Sequence, residues 1–260
     1  MEVIFENYLF LATTVVAYMS FWFLLSVFLK RNDIADIAWG LGFLLIAALS
    51  FYRYDFGLDR GLLVTVLVFL WSTRLSFHIY SRNKGKREDY RYKKWRDEWG
   101  KLFYIRSFLQ VFLLQGLLML VISAPVIIIN TYRGGPLNLI DFIGFFIWTT
   151  GFLFETIGDY QLNKFIKNPL NKGKVMKYGL WKYSRHPNYF GEVMQWWGIW
   201  IIALSVSYGF FSIVGPLVIT TLILKISGIP MLEKKMEENE EFQEYKKKTS
   251  VFFPLPPKNS

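Results

Sequence analysis

Apolar residues in this chain run in blocks of about 20, the length that crosses a bilayer and longer than the dispersed stripes of a water-soluble helix. The blocks predict helices over roughly 8–29, 34–52, 61–80, 103–129, 137–160, 188–206 and 209–229. The expected fold is all-α, a polytopic transmembrane bundle of about seven helices. Only Glu2 and Glu6 carry charge ahead of the first block, where a signal peptide would be basic. No small-residue cleavage site follows it, so it reads as a retained helix. No repeat or low-complexity linker interrupts the chain, and one membrane-embedded domain is expected.

Charge placement orients the bundle. Nine basic residues between Arg82 and Lys101 face four acids, Glu88, Asp89, Asp97 and Glu98. Seven more lie between Lys164 and Arg185 with no acid among them. The 52–60 loop balances Arg53 and Arg60 against Asp55 and Asp59, and 130–136 carries only Arg133. Seven helices with the N-terminus outside put every strongly basic segment, and the C-terminal tail, on the cytoplasmic side. Six helices would misplace one of them. The tail from Glu233 to Lys248 alternates acidic and basic clusters, as a solvated helix does, and Pro254, Pro256 and Pro257 would end it.

Composition narrows the chemistry. The chain is 53% hydrophobic and 19% aromatic, with a formal charge of +10. In a membrane protein, that charge reads as basic loops beside anionic lipid, so membrane lipid is the expected partner and nucleic acid is not. The absence of cysteine excludes disulfides, thiolate metal sites and a cysteine nucleophile. With His78 and His186 the only imidazoles, a multi-histidine metal site is excluded too, and no metal is expected.

An ionised side chain at the bilayer centre costs about 2.5–3.5 kcal/mol on insertion scales, so each one asks for a partner or a role. The spans contain Asp36 beside Trp39, Arg74 and His78, Arg106 with Gln110, Glu155 and Asp159, Glu192, and Lys225. Arg74 and His78, Glu155 and Asp159, and Asn188 and Glu192 are each four apart, so each pair shares a helix face. Three polar stripes converging on the bundle interior would make a cavity open to an anionic, water-soluble cofactor. The plainer alternative is helix ends facing headgroup water, which suits Arg74, His78, Arg106 and Asp159 individually.

Within 159–192, seven cations with Gly173 and Gly179 suit a multiply charged phosphate ligand. Charge alone does not explain the run Tyr178-Gly179-Leu180-Trp181-Lys182-Tyr183-Ser184-Arg185-His186-Pro187-Asn188-Tyr189-Phe190-Gly191-Glu192. There Pro187 fits the first turn of a new helix, whose unpaired amides favour an anion. Trp181, Trp196, Trp197 and Trp200 are read as members of interfacial belts.

The run Gly179–Glu192, with Tyr245 and Pro254 downstream, resembles the C-terminal half of the steroid 5α-reductase family, and in particular its bacterial branch. Asp36-Ile37-Ala38-Trp39-Gly40-Leu41-Gly42-Phe43, Trp71-Ser72-Thr73-Arg74-Leu75 and Glu88-Asp89-Tyr90-Arg91-Tyr92 are similar to that branch as well. The resemblance implies a seven-helix membrane enzyme of a bacterial inner membrane, with its site facing the cytoplasm. It also implies NADPH-dependent reduction of a carbon–carbon double bond conjugated to a carbonyl, in a hydrophobic, steroid- or isoprenoid-like substrate. Residues 1–136 would form the substrate side and 137–260 the cofactor half. Matched by position, Asp159, Tyr183, Asn188 and Glu192 would contact NADPH, with Tyr178 and Arg185 as neighbours. Lys164, Lys167 and Lys225 would meet its phosphates. Where steroid reductases carry a histidine-rich stretch before the tail, this chain has Ser227-Gly228-Ile229-Pro230-Met231-Leu232-Glu233, so the steroid itself is not implied.

Such a reduction delivers hydride to the β-carbon and builds charge on the carbonyl oxygen, which needs an acid or hydrogen-bond donor in a dry cavity. Asp36, His78 and Tyr90 are the candidates, Asp36 as a carboxylic acid kept neutral by burial. Two rivals stand beside this reading. Arg185-His186-Pro187-Asn188-Tyr189 with Gly191 also resembles the isoprenylcysteine carboxyl and phospholipid methyltransferases, which use S-adenosylmethionine; those carry an Arg and paired acids where this chain has Lys225 and Glu233. A non-enzymatic lipid-binding protein is the third reading. Gly40-Leu41-Gly42 lies in a membrane helix and reads as close helix packing. Glu88–Tyr92 reads as a loop held by its own ion pairs, or as part of a cofactor mouth. The central expectation is that the tyrosines, Asn188, Glu192 and Asp159 gather with lysines into one pocket at the inner leaflet.

Overall fold

The computed structural model describes residues 2–53, 59–132 and 135–258; Asp55 and Arg133 lie outside them. The described residues form helices and one isolated parallel bridge, between Ser184 and Ser250. Among them, six helical stretches are long and apolar enough to cross a membrane: Glu2–Leu29, Asn32–Arg53, Arg60–Asn83, Tyr90–Ile122, Leu139–Lys167 and Gly209–Lys235. This is the pattern of an integral membrane protein. The remaining expected span is the 17-residue helix α9 (Pro187–Ala203). At 1.5 Å per residue it reaches about 25 Å, short of a hydrocarbon core of about 30 Å.

The chain divides into two compact units, Met1–Asn138 with Ala203–Gly215, and Leu139–Ile202 with Pro216–Ser260. Unit 1 begins with α1 (Glu2–Leu29), α2 (Ala35–Arg53) and α3 (Arg60–Asn83). On α1 the buried residues Asn7, Leu11, Val15 and Met19 recur every four positions, while Phe5, Leu24 and Phe28 stand exposed at 69%, 66% and 81%. One buried stripe on a helix that is apolar all round is what a lipid-facing helix requires. Between α2 and α3, Ser72 Oγ donates to the carbonyl of Gly40 at 2.7 Å, and Phe43 packs edge-on to Trp71 at 5.3 Å. A Cβ on Gly40 would collide with Ser76, and one on Gly42 with Met119. Close packing is therefore what Gly40 and Gly42 provide.

The expected helix over 103–129 is displaced and broken. A helical stretch starts at α4 (Tyr90–Trp99), passes through α5 (Phe103–Ser107) and a π-helical turn (Phe108–Leu113), and ends with α6 (Leu114–Ile122). After Ser123 a separate helix, α7 (Ala124–Tyr132), begins, with Pro125 in its first turn, where a missing N–H costs nothing.

Unit 2 opens with α8 (Leu139–Lys167). It runs past the expected end at 160, so Lys164 and Lys167 lie in its final turns and not in a loop; Asn168 and Pro169 stop it. Gly144, Gly151 and Gly158 on α8 are seven apart, as are Gly191 and Gly198 on α9. A Cβ on Gly151 would sit 2.5 Å from the carbonyl oxygen of Gly191, and one on Gly144 would sit 2.6 Å from that of Gly198. Glycine stripes let two backbones approach this closely, which stabilises a pair of helices in lipid through dispersion contacts. Beyond α10 (Val214–Thr221) and a second π turn (Leu222–Ile226) come α11 (Ile229–Lys235) and α12 (Glu240–Lys248). In α12 the Asn239 side chain caps the start, acids fill the first turn and lysines the last, matching the helix dipole.

Candidate functional site

The glycine contact sets the polar residues of α8 and α9 against one another. Asn188 Nδ2 donates to Asp159 Oδ1 at 3.0 Å, and Gln195 Nε2 donates to Glu155 Oε2 at 2.6 Å and to the Gly191 carbonyl at 3.3 Å. Glu155, Asp159, Glu192 and Gln195 are all buried. Two acceptors in this ladder have no hydrogen-bond partner: the amide oxygens of Asn188 and Gln195. A buried acceptor left unmade costs roughly 1–3 kcal/mol, so these two oxygens are positions at which a ligand's N–H would be held.

The stretch before α9 clamps the end of α8. Leu180 N donates to Gln161 Oε1 at 3.0 Å and the Trp181 indole to the Gly158 carbonyl at 3.1 Å. Gly179 makes the turn at φ 60°, and a Cβ there would strike the Gln161 amide at about 2.5 Å. Trp181 is therefore a buried ring whose polar handle is satisfied.

The tail then closes over this stretch. Arg185 N donates to the Ser250 carbonyl at 2.8 Å, Ser184 Oγ to that of Phe252 at 2.8 Å, and Leu255 N to that of Tyr183 at 3.0 Å. The Arg185 guanidinium, 8% exposed, pairs with both oxygens of Glu233 at 2.8 and 3.2 Å and donates to the carbonyls of Thr249 and Lys246. His186 Nε2 lies 3.0 Å from Glu233 Oε1. Tyr245 gives its hydroxyl proton to the Trp181 carbonyl, and burial pushes its pKa up.

Several expected roles change on these contacts. Arg185, expected as a neighbour of the cofactor contacts, has its guanidinium spent on holding the tail. Tyr178 and Tyr183 are 61% and 42% exposed, and Lys164, Lys167 and Lys225 are exposed, so these five do not join the buried ladder of Asp159, Asn188 and Glu192. The expected single pocket is instead two features, the ladder and an open cleft of about 520 Å³ that contains Tyr178 but none of those three lysines.

In unit 1, Asp36 is not a lone acid. It accepts from Tyr92 Oη at 2.6 Å and from the Arg91 guanidinium at 2.9 Å, so it serves as an acceptor where a neutral donor was expected. Arg91 also pairs with Asp89 at 3.0 Å, Arg96 pairs with Glu88 at 3.0 Å, and Glu88 accepts from Asn32 N at 2.7 Å. Burial alone would raise the Asp89 carboxyl, yet the hydrogen bonds and charge of Arg91 hold it below its ordinary range. The 88–92 segment is thus held by its own ion pairs and by Asp36. Tyr90 is 50% exposed at the start of α4, and the buried tyrosine is Tyr92, two positions on. His78 is half-buried on α3.

Sequence reasoning missed Gln195, Tyr92, Arg91 and the clasp role of Glu233. Gln195 had a signal, since it lies seven residues from Asn188, in step with Gly191 and Gly198.

The family described as "Protein of unknown function (DUF1295)" matches residues 22–249. The chain belongs to the DUF1295 family. This DUF1295 chain is 36% identical over 74 residues to the human protein named 3-oxo-5-alpha-steroid 4-dehydrogenase 1, a match covering 27% of the chain and 28% of the relative. The protein of the same name from Macaca fascicularis is 35% identical over 74 residues. The chain therefore spans 28% of the length of the steroid dehydrogenases it matches. An uncharacterized protein of Schizosaccharomyces pombe is 24% identical over 265 aligned positions, covering 88% of the chain and 74% of the relative. No solved structure matches.

Proposed function

We propose that this DUF1295 protein is a membrane-bound, NADPH-dependent reductase of a double bond conjugated to a carbonyl in a hydrophobic, lipid-like substrate. The observation that carries the reading is the α8–α9 ladder, where Asp159 and Glu155 hold the two amides while Asn188 Oδ1 and Gln195 Oε1 stay without donors. A nicotinamide ring carries a carboxamide, and its N–H groups are donors of the kind these oxygens lack. Asn188 of the ladder lies in the run that resembles the steroid reductases, and the partial likeness to the steroid dehydrogenases points the same way.

The bound cofactor would supply a hydride. Asn188 and Gln195 would take the carboxamide protons, and Asp159 and Glu155 would keep those amides turned toward it. The glycine-packed helices would exclude water and so strengthen each of these contacts. Lys164, Lys167 and Lys225 remain proposed phosphate partners, reaching from exposed positions. In unit 1, Asp36 spends both oxygens as an acceptor and Tyr90 stands half in solvent, so neither is proposed as the donor to the carbonyl oxygen. The basic segments would face the cytoplasm of a bacterial inner membrane, with the N-terminus outside.

Thermal unfolding of the purified protein in detergent tests the reading. NADPH at about a hundred times its Kd should stabilise the fold by roughly 2.7 kcal/mol. No shift with NADPH, for a protein that unfolds cooperatively, sinks the reductase. A shift with S-adenosylmethionine in its place would transfer the ladder to the methyltransferase reading.

A further inference from the structure

The open cleft of about 520 Å³ in unit 2 is lined by Lys177, Tyr178, Lys182, Glu241, Lys248 and Thr249 among others. Its size falls in the range of about 300–1,000 Å³ typical of small-molecule sites. It lies wholly in 177–182 and 241–257, outside every membrane-crossing stretch. Its walls are built. Val175, Phe242 and Tyr245 form a small apolar core with Met236 behind them, and the Tyr245 hydroxyl fixes α12 to the turn that carries Lys182. Lys258 N donates to the Lys248 carbonyl at 2.9 Å and pins the end of α12.

Charge in the cleft is unevenly answered. Lys177 is spent on Glu241 at 2.7 Å, and that carboxylate also accepts from Val175 N at 2.9 Å. Glu244 is spent on Lys247 at 2.5 Å. Among the described residues, Lys182 and Lys248 have no carboxylate within 4.0 Å. Lys248 meets only the through-space charge of Glu244, which Lys247 already contacts, so two ammonium groups without an ion pair of their own favour an anion with several oxygens. The Tyr178 ring, 61% exposed, offers a flat face at the same place.

We propose that this cleft binds a phosphate-bearing ligand, with Lys182 and Lys248 taking the phosphate oxygens and Tyr178 stacking on whatever the phosphate carries. The ligand is either a soluble nucleotide or the headgroup of an anionic lipid. The site does not depend on the reductase reading, because none of its residues belongs to the α8–α9 ladder.

Titration of the full-length protein with pyrophosphate, followed by calorimetry or by thermal shift, is the test. Saturable binding should weaken at least about tenfold in Lys182→Gln with Lys248→Gln, the loss expected for two charge-assisted contacts. It should change less than about twofold in the charge-matched control Lys172→Gln with Lys234→Gln, since neither control residue lines the cleft. Displacement of pyrophosphate by 2′,5′-ADP would identify a nucleotide, and displacement by vesicles of phosphatidic acid, not of phosphatidylcholine, would identify a lipid. Equal weakening in both double variants, no saturable binding, or displacement by neither competitor overturns the proposal. Should the cleft proposal fail on these counts, NADPH stabilisation of the natural chain that persists in Lys182→Gln with Lys248→Gln would leave the reductase reading standing.

Discussion

Each unit contains a polar network, and the two answer their charges differently. In unit 1 the Asp36–Arg91–Tyr92 knot is closed: Asp36 takes two donors, Arg91 serves two carboxylates, and Glu88 takes Arg96 and a backbone amide. In unit 2 the ladder of α8 and α9 is open, because the amides of Asn188 and Gln195 each keep a buried oxygen without a partner. Asn7 and Asn130 in unit 1 do so too, but away from any buried carboxylate pair such as Glu155 and Asp159. A closed network is worth most as a fastener, since deleting one member strands the rest. An open one is where a ligand can be met without breaking anything.

That contrast can be broken in order of effect. Arg185→Ala, in the other closed network, strands the buried side of Glu233 and frees the tail carbonyls, so it should cost about 3–5 kcal/mol in thermal unfolding. Arg91→Ala should cost less, about 2 kcal/mol, because that side chain is 26% exposed and solvent screens its pairs. Asn188→Ala inverts the pattern. It should cost only about 1–2 kcal/mol, for the donor that buried Asp159 loses, yet weaken NADPH binding at least about tenfold; the stability loss with unchanged affinity would make the ladder another fastener.

The smallest effect is on pH. The folded Asp89 carboxyl titrates below its unfolded value of about 3.9, so its stabilisation is complete above that pH and fades as pH falls through the lower folded value. Acid unfolding of Asp89→Asn should therefore be shallower than that of the natural chain below about pH 4. Identical acid profiles would show that the Arg91 contact contributes nothing there.

Much of this was legible from residue order. The apolar blocks marked the helices because bilayer thickness sets their length, and four-residue spacing placed Glu155 with Asp159 on one face. The limits of sequence reasoning show at Arg185 and Tyr90. A cation in a basic segment reads as a neighbour of the cofactor until Glu233, 48 residues on, is seen to hold it. Tyr90 and Tyr92 are indistinguishable by type, and only the path of α4 buries the second. The acids of 82–101 stand in the sequence beside their partners, whereas Lys177 of the second basic segment finds Glu241 only in α12, 64 residues on.

Residue order alone determined that this protein lives in a bilayer as an all-helical chain, because burial of apolar surface in lipid is a local, additive property of each segment. Which polar groups are spent and which remain available was decided by the tertiary structure. A hydrogen bond depends on a few tenths of an ångström between residues far apart in the chain, and nothing in their spacing records that distance.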